Sequence, residues 1–436
     1  MVPSTRLLWL VAAVAFPAAV TGALVPGWEL AGWLIGVACI AAALLDAALG
    51  RVSLNGISTV ETDVAHLYKD RAATIRTMLT HQSSNSKRIR IALDLPPSFE
   101  AKDEELRVDL PRGPGSYSIE WAVTPHRRGR YVLDACYVET RSPLGLFDIR
   151  RKLPMTTELR VYPNLRTPEG LLALRKGLAG VHAQRQVGQG REFEKLREYS
   201  AGDAYDQIHW KATARRAKPV TKVYQVERTQ EIYVIIDSSR LSRRPINGEP
   251  ALERYLTAGL LLGSAAEANG DLFGLAAFSD KIHGFVRARN GKAHYAACRD
   301  ALYQVHPNLV SPDFEEIATF LRMNLRRRAM LIFLTQLDDP VIAESFTRAT
   351  RILGKQHLIL AGVLSPRSIA PLFSGEEPAS IDEIYERLAN HTAWRGLEKL
   401  QLELRQRGVR LTLLAPGMEV EQLVKLYGDV KQRQLL

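Results

Sequence analysis

The chain has 436 residues, 46% of them hydrophobic and 24% charged, and its Lys and Arg exceed Asp and Glu to leave a net charge of +11. This is the composition of an ordinary globular protein, long enough for two or three domains with a real core. Three cysteines, Cys39, Cys136 and Cys298, stand at no spacing that suits a metal or redox centre, and their odd number fits reduced thiols packed as apolar fillers.

The first predicted elements are two apolar spans. Residues 7–25 contain no charge, and a second such run covers residues 30–45. Crossing the hydrocarbon core takes roughly 20 helical residues. The first run is long enough alone, and the second needs its flanks, Trp28 and residues 47–49. Pro26-Gly27 between them is a tight-turn signal. A cleaved signal peptide would need only the first run, and a buried hairpin of a soluble protein would show a polar face, which neither run has. Residues 1–51 are therefore expected to form a transmembrane helical hairpin in the lipid bilayer. Arg6 and Arg51 flank the spans while the turn carries only Glu29, so both ends are expected to face the cytoplasm. Trp9, Trp28 and Trp33 suit the interfacial belts, and Asp46, near the inner end, is expected to stay hydrated there.

Residues 52–163 have β character. Residues 88–95 (RIRIALDL), 117–123 (YSIEWAV) and 131–138 (YVLDACYV) alternate as half-buried strands do. Pro and Gly clusters separate them, which predicts a small β-sandwich-like domain. Residues 125–130 (PHRRGR) read as a hairpin turn, and residues 142–147 (SPLGLF) as a turn with an apolar anchor.

Residues 164–229 form a linker, with a short helix expected near 171–178, followed by a dense polar segment. From residue 230 the pattern becomes α/β. Strands are predicted at 232–236, 272–278, 330–335, 357–364 and 409–414. Helices are predicted at 251–268, 314–326, 341–353, 381–407 and 420–427. Short apolar runs between helices mark a mainly parallel sheet covered on both faces, a doubly wound α/β domain over 230–436.

Two segments carry chemical information. In open parallel sheets ligands sit at the carboxyl ends of strands, where the strand order switches. The strand ending in Asp237 is followed by Ser239, and two short oxygen donors at this spacing suit a hard cation such as Mg2+. They suit equally well the capping of backbone N–H groups in the following turn. The second segment begins at Gly190 and mixes both charge signs with Phe193, Tyr199 and Trp210, as a packed polar network or docking surface does. His209 beside Trp210 has no nucleophile at a completing spacing, so no catalytic constellation is assigned.

The run GREFEKLREYSAGDAYDQIHWKATARRAKPVTKVYQVER, residues 190–228, resembles the domain of unknown function 58 family. The resemblance rests on Gly190, Glu192, Phe193, Leu196, Arg197, Tyr199, Gly202, Asp203, His209, Trp210, Ala214 and Arg215. Upstream, RRGRY at 127–131, PLGLF at 143–147 and VYP at 161–163 match further family elements. The resemblance implies a von Willebrand factor A-like domain, a β-sandwich-like segment before it, and association with MoxR-type AAA+ ATPases. It also implies a membrane-bound adaptor or assembly factor, here in the bacterial cytoplasmic (inner) membrane with two spans.

A full A-domain metal site resembles Asp-x-Ser-x-Ser with a later Thr and Asp. Asp237 and Ser239 match the first two positions, Leu241 replaces the second Ser, and Gln336 stands where the distal Asp is expected. An amide for a carboxylate removes charge from the cation's shell, so the site is read as degenerate. The expected function is protein–protein interaction rather than catalysis. The alternative is a membrane-bound enzyme acting at the carboxyl ends of the sheet. The basic surplus would also suit nucleic acid, but no recognition motif accompanies it and none is expected as a partner.

Overall fold

The computed structural model describes residues 1–51, 54–60, 64–82, 87–165, 187–188, 192–200, 205, 208–225, 230–365, 369, 371–373 and 380–432. The chain divides into two compact units, Met1–Asn164 and Leu165–Leu436.

The first unit opens with a short strand β1 (Val2–Pro3) and two helices, α1 (Thr5–Leu24) and α2 (Glu29–Arg51). Each is long and apolar enough to cross a membrane. A π-helical turn covers Val11–Ala15 within α1. Gly27 takes a positive φ of 88° in the connecting turn, a conformation that favours glycine. The helices approach through small residues. A Cβ added to Gly32 would stand 2.8 Å from the Ala18 carbonyl oxygen and 3.1 Å from Gly22 Cα. Close backbone approach through small side chains is how helices associate where apolar burial supplies no drive. The large side chains, Trp9, Leu24, Leu30 and Trp33 among them, point outward.

Asp46 departs from expectation. It is buried rather than hydrated. Its carboxylate accepts hydrogen bonds from Ser142 Oγ at 2.5 Å, Leu144 N at 2.8 Å and Leu146 N at 3.0 Å. The SPLGLF turn is thus the receptor for the end of the hairpin. The amino terminus docks on the same turn, with Ser4 Oγ donating to the Gly145 carbonyl at 2.6 Å and Ser4 N to the Leu146 carbonyl at 2.9 Å.

The rest of this unit holds two sheets. Its strands are β2 (Ile57–Val60), β3 (Ala65–Tyr68), β4 (Ala73–His81), β5 (Lys87–Leu93) and β6 (Phe99–Ala101). They continue as β7 (Leu106–Leu110), β8 (Gly115–Pro125), β9 (Gly129–Arg141) and β10 (Phe147–Tyr162). One sheet runs β1-β10-β9-β5-β7 with β3 parallel on β10, and the other runs β2-β4-β8-β6. Alternate residues of β4 and β8 face inward, and Leu79, Ile89, Trp121, Leu133 and Leu159 form one core. Residues 125–130 are not a hairpin turn. β8 pairs with β4 and β6 whereas β9 pairs with β5 and β10, so this break carries the chain from one sheet to the other. Local turn residues look the same in both cases; only the partners of the flanking strands differ.

In the second unit, β11 (Val187–Gly188), β12 (Glu192–Glu198) and β13 (Val220–Gln225) form a three-stranded sheet, with helix α3 (Trp210–Arg216) in the connection between β12 and β13. The linker helix expected near 171–178 lies outside the described residues. Next come β14 (Glu231–Asp237), a 3-10 turn (Arg240–Arg243), the small pair β15 (Pro245–Ile246) and β16 (Glu249–Pro250), and α4 (Ala251–Ala268). These lead to β17 (Leu272–Phe278), β18 (Ile282–Arg289), α5 (Lys292–Leu302), α6 (Phe314–Asn324), β19 (Ala329–Leu334) and α7 (Pro340–Leu353). The chain closes with β20 (Leu358–Leu364), α8 (Ile381–Gln406), β21 (Arg410–Leu414) and α9 (Glu419–Gln432).

The large sheet runs β18-β17-β14-β19-β20-β21, parallel except for β18 at one edge. Its apolar side chains alternate between two cores. Ile232, Val234 and Ile236 pack with residues of α4 and α9, whereas Tyr233 and Ile235 pack with residues of α6, α7 and α8. β18 and α5 are not among the predicted elements. Asp271, before β17, accepts from Gln230 N at 3.1 Å, Tyr427 OH at 2.5 Å and Lys431 Nζ at 2.8 Å, and so ties α9 to the amino end of the sheet.

Candidate functional site

From β14 the chain passes to β17 and β18 on one side of the sheet, then returns to β19, β20 and β21 on the other. The carboxyl end of β14 is therefore where the strand order reverses, the place where an open sheet leaves a crevice. Asp237 is the last residue of β14 and is fully buried. One carboxylate oxygen accepts from Thr335 Oγ1 at 2.6 Å and the other from Ser239 N at 2.7 Å. Ser239 Oγ accepts from Leu241 N at 3.3 Å, capping the 3-10 turn, and Ser238 Oγ donates to the Phe278 carbonyl at 2.9 Å. Both expected cation donors thus meet donors from the protein itself. Gln336 is buried, Asp339 caps α7 through Val341 N at 2.8 Å, and Asp338 is ion-paired with Arg244. Among the described residues there is no group of three or more His, Cys, Asp or Glu that suits a metal ion.

Burial raises the Asp237 carboxyl above the usual carboxylate range, against the hydrogen bonds from Thr335 and Ser239, which lower it. The native state therefore holds this proton more tightly than the unfolded chain. The resulting stabilisation is complete below the unfolded value of about 4 and is lost as pH rises through the folded value. Asp237→Asn imitates the protonated acid. Relative to this variant, the native protein is expected to lose stability as pH rises from about 4. Paired urea titrations across that range measure it, and a difference that stays flat with pH would show that Asp237 titrates normally.

Arg254 Nη1 lies 2.8 Å from Glu419, and Tyr255 OH donates to the Thr335 carbonyl at 2.8 Å while accepting from Leu364 N at 3.2 Å. Ser279, at the end of β17, stands 2.6 Å from His283 Nε2 and 2.8 Å from Asp280 Oδ1. No sequence motif marks this serine–histidine contact. It is poorly arranged for nucleophilic chemistry. Asn308 Nδ2 lies 2.9 Å from the same Nε2, and Ser279 is buried. The Ser279 hydroxyl holds the Asp280 carboxyl below its ordinary range, as a donor to that carboxylate does.

The signature segment folds locally. His209 Nδ1 accepts from Ala212 N at 3.0 Å and caps α3, so this histidine has a structural task. Thr213 Oγ1 accepts from Val220 N at 3.0 Å, and His209 N donates to the Val220 carbonyl at 2.8 Å, binding α3 to β13. Leu196 and Tyr199 are half-buried, whereas Arg197, Ala214 and Arg215 are exposed. Glu192 and Phe193 lie in β12. Gly190, Gly202 and Asp203 fall outside the described residues. Tyr205 and Trp210 meet edge to face with ring centroids 5.6 Å apart, yet remain 72% and 58% exposed. An aromatic pair left so open, beside Lys211 and Arg215, is unusual for a residue pair whose only task is packing.

Residues 195–370 match the family model described as "Protein of unknown function DUF58". No curated protein matches the chain. Among solved structures, the conserved hypothetical protein BatB from Bacteroides thetaiotaomicron is 10% identical, covers 47% of this chain and 99% of its own, and has a TM-score of 0.30. The PapD-like domain 7 (ASH domain) of human CEP192 is 10% identical, covers 25% of this chain and 87% of its own, and has a TM-score of 0.19. Likenesses at these scores carry no argument about fold or function.

Proposed function

We propose that this chain, a member of the DUF58 family of unknown function, is a membrane-anchored adaptor whose α/β unit docks another protein. In this reading α1 and α2 span the bacterial cytoplasmic membrane with both termini inside, as Arg6 and Arg51 on the flanks favour. The second unit is a von Willebrand factor A-like, doubly wound domain. Its 3-2-1-4-5-6 strand order, with an antiparallel third strand, supports that assignment. The partner is a MoxR-type AAA+ ATPase, and the chain works by binding rather than by catalysis.

The observation that carries the proposal is the exposed Tyr205–Trp210 pair in the signature segment. Aromatic side chains with basic neighbours are the residues that dominate protein interfaces, because they bury much area at low entropic cost. Affinity capture with the full chain from detergent-solubilised membranes is expected to recover an AAA+ ATPase. The Tyr205→Ala/Trp210→Ala variant is expected to lose it while His209 still caps α3. Recovery of no ATPase, together with substrate turnover by the purified chain, would replace the adaptor with an enzyme.

A further inference from the structure

We infer that the turn after β14 is an arginine-built docking surface that takes a carboxylate-rich segment of the protein partner directly, without a bridging cation. This inference rests on the adaptor reading and names the chemistry of its partner.

The turn is rigid where it needs to be. Leu241 and Ser242 are buried, Ser242 Oγ donates to the Ser239 carbonyl at 2.8 Å, and Arg240 N donates to the Val310 carbonyl at 2.9 Å. That anchoring leaves Arg240, Arg243 and Arg244 exposed within five residues. Arg240 Nε is engaged by Ser311 Oγ at 3.2 Å, which steadies the guanidinium without neutralising it. Arg244 is ion-paired with Asp338, so the surface already accommodates one carboxylate from its own chain. Among the described residues Arg243 has no ion pair. Like charges crowded on one turn are relieved by an added anion, and planar guanidinium groups match carboxylates in two-pronged geometry.

The position matters as much as the charge. This is the end of β14, where Asp237 is already satisfied by Thr335 and Ser239. With the buried carboxylate committed inward, the arginines supply the positive charge that faces outward. Leu309, 73% exposed and next to the Val310 that holds Arg240, adds an apolar contact beside the cations. A nucleic acid fits less well. Leu309 beside the cations offers a peptide side chain an apolar contact that a phosphate backbone cannot use.

The probe is a fluorescein-labelled decaglutamate peptide, titrated into the full chain in zwitterionic detergent with EDTA present. Saturable binding is expected, weakened about tenfold by Arg243→Glu and further by Arg240→Glu/Arg243→Glu. Neither change removes a bond that holds the turn through Leu241 or Ser242. No binding, binding indifferent to these variants, or binding that appears only with added Mg2+ would overturn the inference. So would tighter, equally variant-sensitive binding of an oligothymidylate of the same charge, which would make the surface a nucleic-acid site. The same double variant separates this inference from the adaptor reading. If it still captures the ATPase, the docking surface lies elsewhere and the adaptor stands. If the native chain captures none, the adaptor reading falls whatever the peptide does.

Discussion

Asp46→Ala is expected to destabilise the attachment of the hairpin to the sheets of the first unit by about 3 kcal/mol, because it strips two buried donors and one part-buried donor of their acceptor. Ser142 Oγ, Leu144 N and Leu146 N all point at this carboxylate. A buried N–H without a partner loses its water and gains nothing in return, whereas the methyl left by alanine repairs none of the three. The turn has other supports: Ser142 Oγ also accepts from Phe147 N at 3.0 Å, and Ser4 holds Gly145 and Leu146. The unit is therefore expected to stay folded while the turn opens more often. Amide hydrogen exchange at Leu144 and Leu146 should accelerate about a hundredfold in the variant. Asp46→Asn, which keeps one acceptor oxygen, should fall between. Unchanged exchange at both amides would mean that Asp46 does not secure the turn.

Asp271→Ala is the second large effect, expected to cost the α/β unit about 3–5 kcal/mol. The loss is of a different kind. The substitution removes a buried charge whose partner, Lys431, is itself mostly covered, and leaves Tyr427 OH and Gln230 N without their acceptor. Burial and the neighbouring carboxylate both push the Tyr427 hydroxyl far above its usual range, so it stays a donor throughout the accessible pH range. Urea unfolding should show a lower midpoint with an unchanged slope, and α9 should lose hydrogen-exchange protection first. Tyr427→Phe removes one donor and leaves the ion pair, so about 1–2 kcal/mol is expected. If both substitutions cost the same, the tyrosine bond rather than the charge pair would be what ties α9 down.

Asp46 and Asp271 also show where sequence reading stops. Each is a single acidic residue near the end of an apolar element, and nothing local separates such a residue from one bathed in water. Asp46 looked hydrated because it followed an apolar span; it is buried because the turn 142–147, distant in the chain, wraps around it. The break at 125–130 failed for the same reason. Its Pro and Gly residues announce a change of direction but not which strands lie on either side. β18 and α5 escaped notice because an edge strand and a short helix lack long apolar runs. In the candidate site, Asp237 and Ser239 were legible as a pair of oxygen donors at a strand end. That Thr335, just past the end of β19, closes the pair was not, since in sequence Thr335 is simply the last residue of the strand predicted at 330–335.

Other features follow from the chain alone. Strands such as 232–236 and 272–278 are so uniformly apolar that only a sheet covered on both faces can accommodate them, and they form one. The two uncharged N-terminal runs, separated by Pro26-Gly27, dictate two helices long and apolar enough for a membrane, because no polar face is available to place them otherwise. Such properties are set by local pattern, and burial merely selects among them. Tertiary structure alone decided that the end of the hairpin is gripped by the SPLGLF turn, that Asp237 faces inward to Thr335 and Ser239, and that the arginines after it face out. Those outcomes depend on which distant donor reaches a carboxylate first, a matter of geometry that no spacing along the chain encodes.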